Sequence, residues 1–521
     1  MHFLKVYQEY VYGVIEGLDR IRFRGTDRML SNKVGFSIAL HRIGVLLQDF
    51  GCWAEARTKS LRDSCEQQAH KLGIPMRYLR RSGEDKEKLA RQIMQEHGVC
   101  KDGSICMFSV VEPCLAPSVF PNKETKRLEV DIRPRKCVFI YYYFDHPRVG
   151  FGNVRIQTWA PYTVHICLNG RHWLEKSLIA GGVGYMKAGN CFPWVADIGR
   201  AQKLLDAQLK TDWPKLLNGL VRKACPRIFQ VCSPFALTYY WSADETEFAT
   251  DVMFHSRKKL DILFPRLLFH AMRISDCHNT LRYFGKRGEE KCRGMAPAQI
   301  QSDCRRRFEG VRIKHWVSGD SIKMYNKEGS VLRVETTINH PRHFKAFRPA
   351  NDDAAKPATW QKMRKGINDL HRRCQISKGA NERYLDAISA AQVEKTLLEA
   401  AKEVCNRTKR NARSVRALNP WNDNDFTLLT FLAKGEWKLN GFRNAHLRQW
   451  INPQCKTLTK IEQRKLSAKA TRMIGMLRAH GLIRKAPREH RYLLTQKGET
   501  FANALLVAST VHIKQLAELV A

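Results

Sequence analysis

The sequence has few acidic residues for its length. Its 521 residues include 50 Asp and Glu against 89 Lys and Arg, which gives a formal net charge of +39 at pH 7. An excess of this size attracts polyanions strongly and with little selectivity. We therefore expect a phosphate-bearing partner, with DNA ahead of structured RNA.

Long apolar segments are also missing. The longest uninterrupted apolar run, Cys137 to Phe144, has eight residues, whereas a membrane-spanning helix needs about 20. The first residues show no basic region followed by a long apolar stretch, so no secretory signal is visible. The sequence predicts a soluble cytoplasmic protein without a membrane partner, and its charge is compatible with association with the nucleoid.

Sequence signatures of cofactor chemistry are absent. No CxxC pair occurs, and the nearest approach to a zinc module is an irregularly spaced group, namely Cys277, His278, Cys292 and Cys304. Buried or incidental thiols are the better interpretation of that group. There is no P-loop and no GxSxG elbow, and the Gly-Gly-Val-Gly at 181–184 lacks the strand-turn-helix context of a dinucleotide site. No nucleotide cofactor is expected.

The composition is that of a folded protein with several domains. Hydrophobic residues make up 44% of the sequence, which is enough for genuine cores, and about 100 to 200 residues per domain indicates about three domains. The strand and helix patterns predict a multidomain α/β (α+β) fold with mixed or antiparallel sheets and flanking helices. The predicted segments are an N-terminal α/β domain (1–120), an aromatic-rich β-meander with helices (121–240), an α+β core (241–345), a basic helical segment and linker (346–420), and a C-terminal domain (421–521).

Three aromatic-rich strands are expected between Val138 and Leu168, and their turn residues suggest an antiparallel meander. Aromatic and basic side chains together could form a face that stacks unpaired bases. Strand aromatics also form cores, and alternation places part of the set inside under either interpretation. The residues of this candidate face are Tyr141, Tyr143, Trp159, Tyr162 and Trp173, interleaved with Arg155, His165 and Arg171, and alternation places Tyr142 on the side opposite to Tyr141 and Tyr143.

A second group of strands is expected from Phe248 to Ile338. Strand Phe248–Phe254 is followed by a helix, Lys258–Met272, and by a strand, Thr280–Phe284. Three further strands are joined by turn-like sequences, which makes antiparallel hairpins the economical connection. These three strands are Val311–Val317, Ser321–Tyr325 and Ser330–Ile338.

Two carboxylates are embedded in apolar strands of this group. Asp251 follows Thr250 in the first strand, and Glu335 lies in the last. A carboxylate in a central strand is costly unless it is paired, hydrogen-bonded or metal-bound, and two from neighbouring strands could hold Mg²⁺ against a phosphate. Alternation could equally place both on a solvated face, paired with Arg333 or Lys323. The sequence leaves both interpretations open.

Three short motifs follow one another here: Thr280-Leu-Arg-Tyr-Phe-Gly-Lys-Arg287, Ser321-Ile-Lys-Met-Tyr-Asn-Lys327 and Leu332-Arg-Val-Glu335. Their order resembles that of rolling-circle plasmid and phage replication initiators, over about 90 residues, although no His-hydrophobe-His pair occurs. The resemblance implies a nicking or strand-transfer core, in which a tyrosine hydroxyl attacks a DNA phosphodiester while Asp251 and Glu335 hold a divalent metal.

Tyr325 is the tyrosine that matches these motifs. Its strand could equally place it as a residue that stacks on a base or as part of the core. Lys323 and Lys327 flank it, and we expect both to contact nucleic acid.

A third strand-borne acid lies near the N-terminus, where Asp19 precedes Arg20, Arg22 and Arg24. Asp19 could supply a further metal ligand. Alternatively, the arginines grip phosphates while Asp19 orients one of them, which is the safer interpretation.

The strongest pattern lies at the C-terminus. Helix patterns at Asp423–Leu432, Asn444–Ile451 and Ile461–His480 precede a strand, a basic turn, a second strand and a final helix. Segments 477–485 and 491–498 resemble the end of the recognition helix and the wing of winged-helix domains. Residues 407–521 hold 22 Lys or Arg against 7 Asp or Glu, which favours DNA docking over protein contacts. The residues expected at DNA are Arg464, Lys465, Lys469, Arg472 and Arg478 on the third helix, and Arg484, Lys485, Arg488 and Arg491 on the wing.

Together these features predict a nucleic-acid-binding protein of a mobile or replicating element, with a DNA-docking module and an upstream core that cuts DNA with Mg²⁺. The alternative is a non-catalytic protein, either a DNA-binding regulator or the partner of a large structured RNA, because phosphate attraction does not distinguish DNA from RNA. Winged-helix proteins often bind two-fold sites as dimers, but no heptad seam here demands a dimer.

Overall fold

The computed structural model describes residues 1–285, 300–307, 310–350, 355–389, 397–410, 413–433, 437, 441–455, 457–487 and 489–510. Within these residues the chain is a mixed α/β protein with 15 α-helices, one large sheet and four small antiparallel sheets. None of the described helices is both long enough and apolar enough to cross a membrane.

The helices alternate with groups of strands along the chain. They are α1 (His2–Val6), α2 (Lys33–Arg42), α3 (Phe50–Leu72), α4 (Lys86–His97), α5 (Gly170–Ala180), α6 (Ile198–Gln208), α7 (Trp213–Ala224), α8 (Arg257–Ile274), α9 (Cys277–Tyr283), α10 (Leu370–Ile388), α11 (Leu397–Val404), α12 (Asp423–Ala433), α13 (Asn444–Ile451), α14 (Lys460–Ala479) and α15 (Gln496–Thr510).

The strands vary widely in length, and the longest belong to the large sheet. They are β1 (Val11–Asp27), β2 (Met76–Leu79), β3 (Ser104–Pro121), β4 (Leu128–His146), β5 (Gly150–Gln157), β6 (Val164–Asn169), β7 (Tyr185–Ala188), β8 (Cys191–Val195), β9 (Tyr239–Phe254), β10 (Ile300–Arg307), β11 (Gly310–Val317), β12 (Asp320–Lys327), β13 (Val331–Thr337), β14 (Lys345–Pro349), β15 (Ala358–Lys362), β16 (Thr408–Arg410), β17 (Arg413–Val415), β18 (Ile483–Lys485) and β19 (Tyr492–Leu494).

The large sheet has a nearly symmetrical strand order, β10-β11-β12-β13-β9-β1-β6-β5-β4-β3-β2. β1 and β9 pair antiparallel at its centre. A four-stranded antiparallel meander extends outward from each of them, β6 to β3 on one side and β13 to β10 on the other. Each half therefore repeats the same plan, in which a long strand and helices precede a meander that returns to pair with that strand.

One sheet joins three of the segments predicted from the sequence. The boundary between 120 and 121 falls inside β3, and that between 240 and 241 falls inside β9. The predicted antiparallel meander is confirmed as β4, β5 and β6, and the three later strands are confirmed as β11, β12 and β13.

The strand predicted at Thr280–Phe284 is wrong, because this segment lies in α9. Asp276 caps the helix by accepting a hydrogen bond from the backbone N–H of Asn279 at 2.7 Å. Leu281 and Tyr283 are buried. A local cap and a buried side of the helix outweigh the β-propensity of the aromatic residues.

Three clusters of apolar side chains pack against the large sheet. α2, α3, α4 and α7 share a core with β1, β3, β4, β5 and β6. α1, α8, α9 and α10 pack on the half that contains β9 and β13, whereas α5, α6 and the β7–β8 hairpin share a cluster with β1, β9 and β13. Val252 and Met253 are neighbours on β9 and belong to these two different clusters, so the clusters lie on opposite faces of the sheet.

The aromatic meander contributes to the core rather than to a stacking surface. Tyr142, Tyr143, Trp159, Tyr162 and Trp173 are all at most 5% exposed. Of the two interpretations that the sequence allows, the core is therefore confirmed for these five residues. Tyr141, the other tyrosine of the set, is half-buried.

Candidate functional site

Three carboxylates from three neighbouring strands meet near the centre of the large sheet. They belong to Asp19 on β1, Glu247 on β9 and Glu335 on β13, and each offers an oxygen within 4.8 Å of the others. Asp19 and Glu335 are buried, and Glu247 is partly exposed. This acidic triad could hold a metal ion.

Arg333 organises the triad from within the sheet. Its side chain is fully buried, and its Nη1 donates to Asp19 Oδ2 at 3.0 Å and to Glu335 Oε1 at 3.5 Å. Its Nε and Nη2 bind the two oxygens of Asp251 at 2.5 and 2.9 Å. One guanidinium therefore fixes carboxylates from three strands relative to one another.

Asp251, which the sequence suggests as a metal ligand, lies outside the triad. Its Oδ1 accepts from Arg333, and its Oδ2 accepts from Arg333 at 2.9 Å and from Arg171 Nε at 3.0 Å. Both oxygens of this buried carboxylate are thus taken by guanidinium groups, and it serves to anchor the two arginines. Arg171 also donates to the Ala249 carbonyl at 3.1 Å.

Glu247 occupies the place in the triad that the sequence assigns to Asp251. It lies four residues earlier on β9, and side chains at alternate positions of a strand share a face. Alternation could have identified it, because Glu247 and Asp251 must point to the same side. Of the two interpretations that the sequence leaves open for Asp251, the structure shows the pairing with Arg333.

Asp19 is held by two asparagine side chains as well as by Arg333. Asn190 Nδ2 donates to both of its oxygens, at 3.0 and 3.1 Å, and Asn169 Nδ2 donates to Oδ1 at 3.1 Å. Asn169 also caps α5 by accepting from the backbone N–H groups of Arg171 and His172. Burial raises the pKa of Asp19 to about 6, although the charge of Arg333 opposes the shift.

Glu335 lies in a different electrostatic environment. Burial would raise its pKa, but the charges of Lys323 and Arg333 outweigh burial and lower the pKa to about 2. Lys323 pairs with Glu335 Oε2 and lies 3.1 Å from Glu247 Oε1. Glu335 is therefore ionised throughout the neutral range.

Tyr325 lies beside this carboxylate. Its hydroxyl donates to Glu335 Oε1 at 2.6 Å. Burial and then the charge of Glu335 raise the pKa of Tyr325 well above its ordinary value. Lys327, at the end of the same strand, is only 7% exposed, which leaves little of it for the nucleic-acid contact expected from the sequence.

The cluster keeps a net negative charge. With Asp251 included, four carboxylates face three cations, Arg171, Arg333 and Lys323. An octahedral Mg²⁺ with bonds of about 2.1 Å places its oxygen ligands about 3 to 4 Å apart. To hold such an ion, the triad's oxygens must close around it and the Lys323 ammonium group must move away from Glu247 and Glu335. The longer bonds of Ca²⁺ require less closure.

A stripe of arginines continues from the triad along β1. At a bulge between Leu18 and Ile21, two residues of β1 lie opposite one residue of β9, and both Leu18 and Ile21 face the core. Arg22 pairs with Glu245 at 2.9 Å, and Glu245 shares its face of β9 with Glu247. Arg20 and Arg24, two positions to either side of Arg22, are exposed. We call Arg20, Arg22 and Arg24 the arginine stripe; it lies on the face of the sheet that carries the triad.

The C-terminal residues form a separate apolar cluster, in which α12, α13, α14 and α15 pack around the β18–β19 hairpin. Phe442, between α12 and α13, forms an isolated antiparallel bridge with Tyr492 of β19. The order is therefore helix, bridge, helix, helix and hairpin, followed by a last helix. Thr459 and Glu462 close a capping box at the start of α14.

The basic residues predicted to meet DNA lie mainly on the surface of this region. Arg478 and Arg491 are half-buried, and Arg488 lies outside the described residues. Lys286 and Arg287 of the first motif, and Cys292, also lie outside the described residues. The exposed cations are Arg464, Lys465, Lys469 and Arg472 on α14, and Arg484 and Lys485 on β18.

Comparison with protein-family models, curated proteins and solved structures finds no match to this chain. Its function has to be inferred from the geometry of the triad, the arginine stripe and the C-terminal region.

Proposed function

We propose that this chain is a DNA-processing protein of a mobile or replicating element, which cuts or transfers a DNA strand with the help of Mg²⁺ at the acidic triad. The observation that carries the proposal is the meeting of Asp19, Glu247 and Glu335 beside the Tyr325 hydroxyl. Carboxylate oxygens are the ligands that Mg²⁺ prefers, and such sites act on phosphate esters.

The surroundings of the triad support a nucleic-acid strand as substrate. The exposed Arg20 and Arg24 can hold backbone phosphates on the same face of the sheet. Arg22 is partly neutralised by Glu245, with both side chains 38% exposed. A strand that follows the stripe would bring a phosphodiester to the triad.

The residues at the triad can divide the reaction between them. The Tyr325 oxygen forms a bond to phosphorus while the bond from phosphorus to the leaving oxygen breaks. The hydrogen bond to Glu335 Oε1 orients the Tyr325 hydroxyl, the phenol proton leaves to water, and water returns a proton to the leaving oxygen. A bound Mg²⁺ would supply positive charge against the phosphate oxygens.

We further propose that residues 421–521 form a winged-helix domain that docks duplex DNA. The proposal is supported by the order of α12, the Phe442–Tyr492 bridge, α13, α14 and the β18–β19 hairpin. It is also supported by exposed cations on α14 and β18, which are the elements that would enter a groove and contact the neighbouring backbone.

The deciding experiment incubates the full chain with labelled single-stranded DNA, duplex DNA and structured RNA, in Mg²⁺ or EDTA. We expect Mg²⁺-dependent cleavage of DNA that falls by about two orders of magnitude or more in Asp19→Asn, Glu247→Gln and Glu335→Gln. Absence of cleavage from every substrate in both conditions would exclude the enzymatic proposal, as would full activity of Glu247→Gln.

Glu112 offers a matched control for these substitutions. It is bound by Lys86, Arg155 and Tyr141, much as Glu335 is bound by a lysine, an arginine and a tyrosine. It lies outside the triad, so Glu112→Gln should lose a comparable set of contacts and keep the cleavage rate.

A second candidate function is favoured by the position of Lys323. Its ammonium group contacts both Glu247 and Glu335 and already supplies a cation to the triad. If the Lys323 ammonium group keeps this place when Mg²⁺ is present, no metal ion binds to the triad. The chain is then a non-catalytic binder, either a DNA-binding regulator or the partner of a structured RNA. DNA or RNA affinity that is the same in Mg²⁺ and EDTA, without cleavage, would favour this candidate.

A further inference from the structure

A basic cavity lies between the β16–β17 hairpin and α14. Its volume is about 810 Å³, and none of the described residues that line it carries a carboxylate. The arginines around it are Arg410, Arg413, Arg416 and Arg472. The sequence suggests only an exposed basic linker at this place, so the cavity is a feature that folding creates.

The arginines of the cavity are poorly neutralised. Arg410 and Arg413 face each other directly in the hairpin, and like charges at such positions are destabilising. Within the described part of the chain, no carboxylate forms an ion pair with Arg410, Arg413 or Arg472. Arg416 differs, because Asp425 binds it through two hydrogen bonds of 2.6 Å. Among the residues that the structure describes, three guanidinium groups without a carboxylate partner therefore line one cavity.

Gly475 leaves the helical side of the cavity open. A Cβ atom built on it would meet nothing within 4 Å. Glycine inside a helix costs roughly 0.5–1 kcal/mol relative to alanine, and here it exposes the backbone of α14 to the cavity. Arg410 Nη1 donates to the Gly475 carbonyl at 3.5 Å, which connects the hairpin to this point of the helix.

We propose that this cavity binds backbone phosphates of duplex DNA and extends the docking surface of α14 onto the β16–β17 hairpin. The inference rests on the proposed winged-helix function and adds a contact that α14 and the wing do not supply. Lys465, Arg472 and Gly475 lie along one side of α14, so the cavity continues its exposed basic face. From Lys465 to Gly475 the helix advances about 15 Å, a distance over which a DNA strand presents several phosphates.

The test measures how the affinity for a fluorescent duplex depends on salt, with the full chain. The logarithm of the binding constant falls linearly with the logarithm of the salt concentration, and each lost phosphate contact makes this slope shallower by about 0.9. Arg410→Gln/Arg413→Gln should therefore make the slope shallower by about 1.8 and weaken binding about 30-fold near 0.15 M salt. Gly475→Glu should weaken binding comparably because it places a negative charge in the cavity, whereas Gly475→Ala should leave the affinity unchanged.

Arg407→Gln/Lys409→Gln is the charge-matched control. Both residues are exposed, and neither lines the cavity; Lys409 precedes Arg410 in β16, so the two side chains point to opposite sides. This control should change the slope by much less than the Arg410/Arg413 pair. Equal losses from the two pairs would mean that only the overall charge matters, and would overturn the cavity proposal.

A third pair separates this inference from the proposed function. If Lys465→Gln/Lys469→Gln lowers the slope and Arg410→Gln/Arg413→Gln does not, α14 docks DNA and the cavity inference is wrong. If the wild-type chain has no duplex affinity at any salt concentration, both fail. Free ATP or inorganic phosphate serves as competitor: binding of ATP that depends on Arg410 and Arg413, with unchanged duplex affinity, would identify a nucleotide pocket and overturn the DNA assignment.

Discussion

The Tyr325 hydroxyl donates a hydrogen bond of 2.6 Å to Glu335 Oε1, within the acidic triad. Both side chains are carried by neighbouring antiparallel strands, β12 and β13, and the register places Tyr325 opposite Arg333 and Lys323 opposite Glu335. The positions of a nucleophile candidate, its hydrogen-bond acceptor and a neutralising cation are therefore set by strand pairing alone. Their relative positions do not depend on a loop.

Replacing Tyr325 with phenylalanine should abolish a covalent protein–DNA adduct. The ring and its packing remain, but the oxygen that would bond to phosphorus is gone. The measurement is a denaturing gel of the full chain incubated with labelled single-stranded DNA and Mg²⁺. Tyr141→Phe is the matched control, because Tyr141 also donates to a glutamate, Glu112, at 2.9 Å. An adduct that survives in Tyr325→Phe would assign the nucleophile elsewhere.

Metal affinity should depend on pH through Asp19. Burial raises the pKa of Asp19 to about 6, so below that pH the metal must displace one proton. Affinity for Mn²⁺, followed by electron paramagnetic resonance, should rise about tenfold per pH unit up to about pH 6 and then level off. Asp19→Asn should bind more weakly and lose this dependence. A pH-independent wild-type affinity between pH 4.5 and 6 would contradict the assignment of Asp19 as a ligand.

Removing the charge of Lys323 should strengthen metal binding. Its ammonium group contacts two members of the triad, so an incoming dication has to overcome its repulsion and displace it. Lys323→Gln should bind Mn²⁺ on the order of tenfold more tightly, and its Tm should increase more on addition of the metal than the wild-type Tm does. A weaker affinity in Lys323→Gln would mean that Lys323 positions the carboxylates rather than competing with the metal.

The sequence predicted the strands of the site better than its chemistry. Alternation located β11, β12 and β13, and it marked Glu335 and Asp19 as acids in strands. It could not show that β9 pairs with β1 on one side and β13 on the other. That pairing joins residues more than 300 positions apart, such as Asp19 and Arg333, and no local pattern encodes it.

The differences between the sequence predictions and the structure have identifiable physical causes. The aromatic residues of 280–284 suggested a strand, but the Asp276 cap made the segment helical. For Asp251 the sequence leaves metal binding and pairing with Arg333 or Lys323 open; the structure shows Arg333, and it adds Arg171 from α5, 80 residues away in the chain, which no local pattern indicates. Partners supplied by tertiary structure decide whether a buried acid binds a metal or an arginine.

Asp251→Ala should destabilise the fold much more than Glu247→Ala. The first change leaves Arg171 and Arg333, both fully buried, without their shared carboxylate, and breaking a buried pair in this way costs about 3–5 kcal/mol. Glu247 is partly exposed and pairs with Lys323 alone among the described residues, so its loss should cost about 1 kcal/mol or less. Urea unfolding followed by circular dichroism measures both. Similar destabilisation by the two substitutions would contradict the anchoring role of Asp251.

Gly441→Ala should disable duplex binding while sparing the triad. Gly441 has φ of +61°, and a Cβ atom there would lie 2.2 Å from the Tyr492 carbonyl oxygen. The substitution must therefore disturb the bridge between Phe442 and Tyr492, which joins the β18–β19 hairpin to the segment before α13.

Gly481→Ala is the control that shows the effect of backbone strain without a steric clash. Gly481 has φ of +72°, but a Cβ atom there would meet nothing within 4 Å, so Gly481→Ala carries the strain of a positive φ alone, about 1 kcal/mol. We expect Gly441→Ala to weaken duplex affinity strongly and Gly481→Ala to weaken it little, with Mg²⁺-dependent cleavage of single-stranded DNA equal in both. Equal duplex affinity in the two variants would show that the Phe442–Tyr492 bridge does not position the hairpin for DNA, and the wing assignment would then lose its structural basis.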